Sequence, residues 1–320
     1  MRLVFMGTPQ FAVPSLKKLI EQRFDIAAVV TQPDRKSGRG HRLSASPIKE
    51  LAASEGIPVL QFEKIRAQEG IDALSDISPD IIVTAAFGQI LPKAILDIPP
   101  LGCINVHASL LPKYRGAAPI QWAIINGEEK TGVTIMYMDV GLDTGDIISS
   151  TQVTIDEGMT GGELYEKLSH LGAQLLITTL KNIEAGAAKR KKQDESESSY
   201  YPPLSKELGR IDWNKPAFDI YNLIRALDPV MGTYTYAGED AVKIWSANVL
   251  PGTAEPGQFL SANDKEGLVV GTGGGLLRVL SMQAPGTKRM SPEEFFRGRR
   301  LLTDRFDNTP TKSNDERGGN

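Results

Sequence analysis

Cysteine is close to absent: Cys103 stands alone in 320 residues. A single thiol excludes an intrachain disulfide and any thiolate-rich metal site, and in its apolar setting it reads as a small core residue rather than a nucleophile. Histidine is also sparse. His41, His107 and His170 lack the spacing of metal ligands, so no metal is expected. Long apolar runs are missing too, and none approaches the ~20 residues that a membrane-crossing helix needs. From Met1 to Met6 the chain enters an apolar strand without the basic start, apolar core and cleavage site of a secretory signal. No membrane association and a cytoplasmic location are the expectations. Neither sign of charge dominates: 36 Lys and Arg against 39 Asp and Glu leave a net charge of −3, which alone says nothing for nucleic acid. Finally, Gly7-Thr8-Pro9 follows the first strand without the second glycine of a G-x-G-x-x-G fingerprint. That disfavours a nucleotide-cofactor dehydrogenase and leaves open a tight turn or an anion contact at a helix end.

What is present is alternation. Leu3 to Met6, Ile26 to Thr31, Asp80 to Ala86 and Cys103 to Ala108 read as buried strands. Helical patterns cover Phe11 to Gln22, Pro47 to Glu55, Glu63 to Leu74 and Ala118 to Asn126. Strand-helix alternation predicts an α/β, doubly wound, mostly parallel sheet whose ligands bind beyond the carboxyl ends of its strands. Two further strands, Thr131 to Asp139 and Asp146 to Ile155, and a long helix from Thr160 to Ala185 complete a first domain over 1–188. Residues 189–207 read as a linker, from the basic run Lys189-Arg190-Lys191-Lys192, the polar stretch after it and Pro202-Pro203. Over 208–310 a helix within Ile211 to Asp228 precedes short strands and glycine turns, predicting a small antiparallel barrel. The polar residues 311–320 are expected to be a disordered tail.

Asn105 and His107 stand two apart on a strand and therefore share a face. Downstream, Gly141-Leu142-Asp143-Thr144-Gly145-Asp146 offers a carboxylate. An amide donor suits a developing oxyanion, an imidazole exchanges a proton near neutrality, and a carboxylate orients or charges that imidazole. Such a trio fits acyl transfer to an amine. No nucleophile has a dedicated base, so direct attack through a tetrahedral intermediate is simpler than a covalent enzyme intermediate.

The stretch INVHASLLPKYRGAAPIQWAI, its partner DVGLDTGD and the opening MGTPQFAVPSL resemble the methionyl-tRNA formyltransferase family. The resemblance runs from Arg2 to about Phe306. It implies a Rossmann-like formyltransferase domain and an OB-like tRNA-binding domain. It further implies 10-formyltetrahydrofolate as donor and the methionine amino group of initiator methionyl-tRNA as acceptor, with N-formylmethionyl-tRNA as product for translation initiation. Family roles carry over to Asn105, His107 and Asp143 as catalytic residues. They also place folate along Ser109, Leu110, Leu111 and Pro112, and beside Phe87, Gly88, Gln89, Ile90, Leu91 and Pro92.

Between Asp34 and Arg42 the chain carries Arg35, Lys36, Arg39 and Arg42 against Asp34, four positives less one negative, or +3 with His41 neutral. A basic, Gly-containing loop beside the ligand edge exceeds a minimal connector. By the resemblance it is the mobile loop that enters the acceptor stem, with Arg39 weighted most. Residues 208–310 hold twelve Lys or Arg and twelve Asp or Glu, so any phosphate surface there is local. Lys288, Arg289 and Arg299 lead the candidates, joined by Arg297, Arg300, Arg305 and Lys189 to Lys192. No obligate protein partner is expected, and a monomer is the simplest state. Two alternatives stay open: an RNA-binding module without catalysis, and a formyltransferase of a small amine such as an amino sugar nucleotide or glycinamide ribonucleotide.

Overall fold

Strands buried on both faces are apolar throughout. Leu3, Val4, Phe5 and Met6, all fully buried, make such a strand, β1 (Arg2–Gly7). The computed structural model describes residues 1–37 and 42–311; of residues 36, 37, 42 and 43 it describes the main chain alone. Beyond β1 come α1 (Val13–Glu21), β2 (Asp25–Thr31), β3 (Arg35–Ser37), β4 (Arg42–Ser44), α2 (Pro47–Ser54), β5 (Val59–Gln61), α3 (Gln68–Ile77) and β6 (Ile81–Ala85). Then follow α4 (Lys93–Leu96), β7 (Cys103–His107), β8 (Arg115–Gly116), α5 (Pro119–Ile125), β9 (Lys130–Tyr137), β10 (Ile147–Thr154), α6 (Gly161–Glu184) and β11 (Tyr200–Tyr201).

Seven strands form one sheet in the order β10-β9-β7-β6-β1-β2-β5. From β7 to β5 the pairings are parallel, whereas β9 runs antiparallel to β7 and β10 to β9. The chain builds outward from β1 through β2 to β5, then returns to the other flank of β1 at β6. Strand order reverses there, and such a switch point opens a crevice at the carboxyl ends of β1 and β6. The outer strand β10 alternates exposed and half-buried residues along its second half, as an antiparallel strand with one solvent face should.

One helix start differs from the sequence expectation. The pattern from Glu63 to Leu74 becomes α3 only at Gln68, because Ile65 is pulled into the core and donates its N–H to Gln89 Oε1 at 2.7 Å. The helix then runs on to Ile77, where Ser78 adopts a left-handed conformation with φ +48° and ends it. By contrast α2 starts where Ser46 caps it, its side chain accepting from Lys49 N–H with Pro47 in the first turn. Such a cap stabilises a helix by about 1 kcal/mol.

Contacts divide the chain into two units: residues 1–119, 130–154 and 165–202 form one, and residues 120–129, 155–164 and 203 onward the other. The stretch read from composition as the start of a linker is bonded to the first unit. Lys191 exchanges main-chain hydrogen bonds with Ile147 at 2.8 and 2.9 Å, and Arg190 lies 3.7 Å over the Tyr137 ring.

In the second unit α7 (Ala217–Leu227) precedes β12 (Thr233–Ala237), β13 (Asp240–Leu250), β14 (Phe259–Asn263), β15 (Gly267–Gly271), β16 (Leu276–Gln283) and α8 (Pro292–Phe296). The five strands pair antiparallel in the order β12-β13-β16-β15-β14. Residues 304–307 close the two edges: Asp307 exchanges main-chain bonds with Tyr236 of β12, and Phe259 of β14 donates to Asp304. Closure removes the open edges that invite aggregation. Inside, Trp213 stacks on Phe306 at 5.5 Å and donates its indole N–H to Thr235 Oγ1 at 2.8 Å, so its one polar atom is satisfied in the core. No helix among the described residues is long and apolar enough to cross a membrane. Of the 311–320 tail, residues 312–320 lie outside the described residues.

Candidate active site

Asn105 and His107 share one face of β7, as their spacing predicts, while Val106 between them faces the other way. Parallel pairing sets Thr84 of β6 beside Asn105, and the Thr84 hydroxyl donates to Asn105 Oδ1 at 2.8 Å. The carboxamide is thereby turned so that its Nδ2 donor lies on the side away from Thr84. His107 is 6% exposed. Its Nε2 meets the Tyr114 carbonyl at 2.9 Å, which fixes Nε2 as the protonated nitrogen. Nδ1 is left as the working atom.

Asp143 approaches that atom. Its Oδ2 lies 3.7 Å from His107 Nδ1, beyond hydrogen-bond distance. The same Oδ2 accepts the Gly116 N–H at 2.8 Å. Asp143 sits at φ +54°, a left-handed conformation that Asp tolerates better than most residues. The three expected catalytic side chains therefore converge, from β7 and from the turn between β9 and β10.

The remaining expected ligand residues divide. Ser109 is fully buried and donates its hydroxyl to the Lys113 carbonyl at 2.7 Å, while its own carbonyl accepts from Thr134. The Ser109 hydroxyl proton is thus engaged within its own turn. Leu111 is buried with its N–H on Thr134 Oγ1, and Leu110 and Pro112 are half-buried. In the loop after β6, Phe87 and Leu91 point into the core, and Gln89 ties the loop to Phe62 and Ile65. Gly88 and Ile90 are exposed, Ile90 by 75%, and Pro92 precedes α4. On the turn that carries Asp143, Val140 and Leu142 are also exposed apolar residues.

Gly7 is a close-packing residue, since a Cβ there would stand 2.7 Å from Ala12 Cβ. Beside it Thr8 joins three strand ends, donating to the Phe87 carbonyl and accepting the Gln32 N–H. The Thr8 hydroxyl and the close packing at Gly7 thus help to hold the crevice. Burial pushes the Cys103 thiol up to about 12, so a thiolate is not accessible near neutrality.

Of the basic segment, Arg35 is exposed in β3, which pairs with β4 as a hairpin. Lys36 and Arg42 are placed by main chain, and Arg39 lies outside the described residues. The hairpin's base is pinned: Asp34 accepts from Lys49 at 2.7 Å and from Gln61 at 2.9 Å, and these two partners hold its carboxyl below the usual range. In the second unit, Arg289 is committed to Asp228 at 3.0 Å and to Ser281 at 2.9 Å. Arg305 bonds the Pro256 carbonyl, whereas Lys288, Arg297, Arg299 and Arg300 are exposed.

Comparisons with known proteins identify the family. The formyl transferase model matches residues 1–180, and the formyl transferase C-terminal domain model matches residues 203–300. The chain is 50% identical over 305 residues to the methionyl-tRNA formyltransferase of Clostridioides difficile, covering 95% of this chain and 98% of that one. The chain belongs to the methionyl-tRNA formyltransferase family. The family's representative from Caldanaerobacter subterraneus subsp. tengcongensis is 49% identical over 304 residues, 94% of this chain and 98% of that one. Among solved structures, WlaRD, a sugar 3N-formyl transferase determined in the presence of dTDP and 5-N-formyl-THF, shares the fold. Its TM-score is 0.68 at 22% identity, over 90% of this chain and 99% of that chain.

In this member of the methionyl-tRNA formyltransferase family, four residues beside the trio escaped sequence reasoning. Thr84 is the one hydroxyl in the buried run Ile81-Ile82-Val83-Thr84-Ala85, a signal that was available. Arg115 is fully buried, and its five N–H groups make five bonds: Nε and Nη2 to Gln193 Oε1, Nη1 and Nη2 to Glu195, and Nη1 to the Tyr200 hydroxyl. Glu195 holds the guanidinium's pKa above its usual value, and Arg115 holds the Glu195 carboxyl below its own. Gln193 and Glu195 stand in a polar stretch whose composition carries no signal of a site.

Proposed function

We propose that this protein transfers the formyl group of 10-formyltetrahydrofolate to the amino group of methionine on initiator tRNA, giving N-formylmethionyl-tRNA. The observation that carries the reading is the convergence of Asn105, His107 and Asp143 at the carboxyl end of β7. It does so in a chain that matches methionyl-tRNA formyltransferases over nearly its whole length. The donor supplies an activated formyl carbon; the protein supplies placement and charge.

Asn105 Nδ2, aimed by Thr84, donates to the formyl oxygen as negative charge develops there. His107, in its protonated form, donates from Nδ1 to the same oxygen, since the Tyr114 carbonyl takes the Nε2 proton. The amine attacks the formyl carbon to form a tetrahedral intermediate; Asp143 stabilises charge on that imidazole and takes the proton released by the amine, directly or through water. The bond from the formyl carbon to the donor nitrogen then breaks, and that nitrogen takes up the proton as tetrahydrofolate leaves. Gly88 to Leu91 and Ser109 to Pro112 bound the folate site through main chain and apolar surface, with exposed Ile90, Val140 and Leu142 as its apolar lip.

Residues 1–188 carry the catalytic side chains, residues 189–207 lead on from them with the stretch to Pro202 still part of the first unit, and residues 208–310 hold tRNA. The basic segment that holds Arg35, Lys36, Arg39 and Arg42 binds the acceptor stem, and Asp34 at its start is held by Lys49 and Gln61. Lys288 and Arg299 contact phosphates, which position the RNA without reading its sequence. The protein acts as a monomer in the cytoplasm.

The test is formyl transfer to initiator methionyl-tRNA in competition with an amino sugar nucleotide. Transfer to the tRNA at the lower acceptor concentration is the expected result. Preference for the sugar nucleotide would replace the acceptor, and absence of transfer to either would remove the enzymatic reading. Replacing Arg39 should raise the KM for tRNA and leave that for folate unchanged.

A further inference from the structure

The carboxamide of Gln193 has four hydrogen-bonding sites, two lone pairs on oxygen and two protons on nitrogen, and all four are used. Oε1 accepts from Arg115 Nε at 3.0 Å and Nη2 at 2.9 Å. Nε2 donates to the main-chain carbonyls of Asp143 at 2.8 Å and Gly145 at 2.7 Å. One side chain thus joins a fully buried guanidinium to the turn that presents the catalytic carboxylate. The Arg115 end does not give: Glu195 and Tyr200 fill its remaining donors, and β8 pairs with β11 so closely that a Cβ on Gly116 would stand 2.6 Å from the Tyr201 carbonyl. Gly116, the next residue, holds the Asp143 carboxylate itself.

We propose that Gln193 is a positioning residue for Asp143, through which the segment 191–201 sets the distance between that carboxylate and His107 Nδ1. The inference rests on the formyl-transfer reading for its kinetic consequence, while the positioning itself is measurable without any substrate. Asp143 occupies a left-handed conformation in an exposed turn flanked by Val140 and Leu142. Its side chain accepts the Gly116 N–H, while Gln193 holds its main-chain carbonyl with one bond and that of Gly145, two residues on, with the other. A displacement of about 1 Å in a reacting group costs on the order of 10²-fold in rate.

Gln193→Glu separates the two halves of the contact. A carboxylate still accepts from Arg115, so the segment stays anchored, but it has no proton for the Asp143 and Gly145 carbonyls and sets negative charge against both. Gln193→Met removes both halves at similar volume. Asp194→Ala is the neighbouring control: it deletes the cap on Ser196 and touches neither Arg115 nor Asp143. Steady-state formyl transfer and amide hydrogen exchange of residues 139–146 and 195–201 are measured for each.

For Gln193→Glu we expect kcat to fall about 10²-fold, with KM for both substrates unchanged. Exchange should accelerate in 139–146 and not in 195–201; Asp194→Ala should leave kcat and the 139–146 exchange at wild-type levels. Unchanged kcat and unchanged 139–146 exchange in Gln193→Glu would overturn the proposal. So would a kcat loss that appears only with faster exchange across 195–201, since Gln193 would then serve the fold alone. If the wild-type protein transfers no formyl group to tRNA, the functional reading falls, and the exchange of 139–146 still decides whether Gln193 holds Asp143.

Discussion

Thr84 donates its hydroxyl to Asn105 Oδ1 at 2.8 Å across two parallel strands. The bond fixes which end of the Asn105 carboxamide faces the crevice, and only the nitrogen end donates to an oxyanion. Thr84→Val keeps the shape and loses the bond, so the amide becomes free to rotate. A kcat loss approaching the 10²- to 10³-fold, about 3 to 4 kcal/mol, of removing one oxyanion donor is the upper bound. We expect a smaller loss, with Thr84→Ser restoring most of it. Kinetics of the two variants decide, and equal activity in Val and Ser would show that Thr84 only fills space.

The negative charge of Asp143 is separable from its geometry. Asn accepts the Gly116 N–H and tolerates φ +54° as Asp does, so Asp143→Asn removes charge and proton-accepting capacity alone. If the carboxylate assists proton transfer, kcat should fall by about 10²- to 10⁴-fold with folate affinity kept. Stopped-flow folate binding beside steady-state rates checks this. Weaker folate binding with a normal kcat would move Asp143 from chemistry to ligand binding.

Much of this site was legible in the sequence, and the illegible part has a physical character. Asn105, His107 and Asp143 are short-range readings: a period of two on a strand, and a glycine-rich turn after the next one. Strand and helix order followed from apolar runs that the buried parallel sheet requires. What could not be read was pairing between distant polar groups. Gln193 and Glu195 look like solvated linker until Arg115, 78 and 80 residues earlier, is found buried beneath them. Similarly, Glu63 to Lys64 has helical composition, and only the tertiary bond from Ile65 to Gln89 explains why α3 starts later.

The same Arg115 pair makes stability depend on acid. Glu195 has its folded pKa depressed, first by its hydrogen bond from Arg115. A depressed carboxyl contributes stability that is fully present above its unfolded value of about 4.3 and is lost as pH falls through the folded value. Melting temperature should therefore drop on acidification below about pH 4.3, and Glu195→Gln should flatten part of that drop. Asp34 and Asp194 are depressed as well, so the variant should not abolish it. Parallel melting curves from pH 3 to 6 would refute the assignment.

Cys103 precedes Asn105 by two positions yet is 2% exposed, with its thiol pushed up to about 12. A mechanism with a covalent thioester intermediate needs that thiolate. Cys103→Ala should keep kcat while costing about 1 kcal/mol through lost packing. In the native state the thiol should resist an aromatic disulfide reagent and react once the protein unfolds. Loss of formyl transfer without loss of fold in the alanine variant would reinstate a nucleophilic role.

In the second unit the cations are not equivalent. Arg289 spends its charge on Asp228, whose side chain is 14% exposed, and sits 5.1 Å over Trp245. Arg299 is exposed. Removing Arg289 strands a partly buried carboxylate and strips packing from an indole, so Arg289→Ala should lower the melting temperature. Arg299→Ala should leave melting unchanged and weaken tRNA binding. If Arg299 neutralises one phosphate, the slope of log affinity against log salt falls by about 0.7 to 0.9. Binding isotherms at several salt concentrations separate the two. An unchanged slope in Arg299→Ala would place the phosphate surface elsewhere, with Lys288 and Arg300 the next exposed cations to replace.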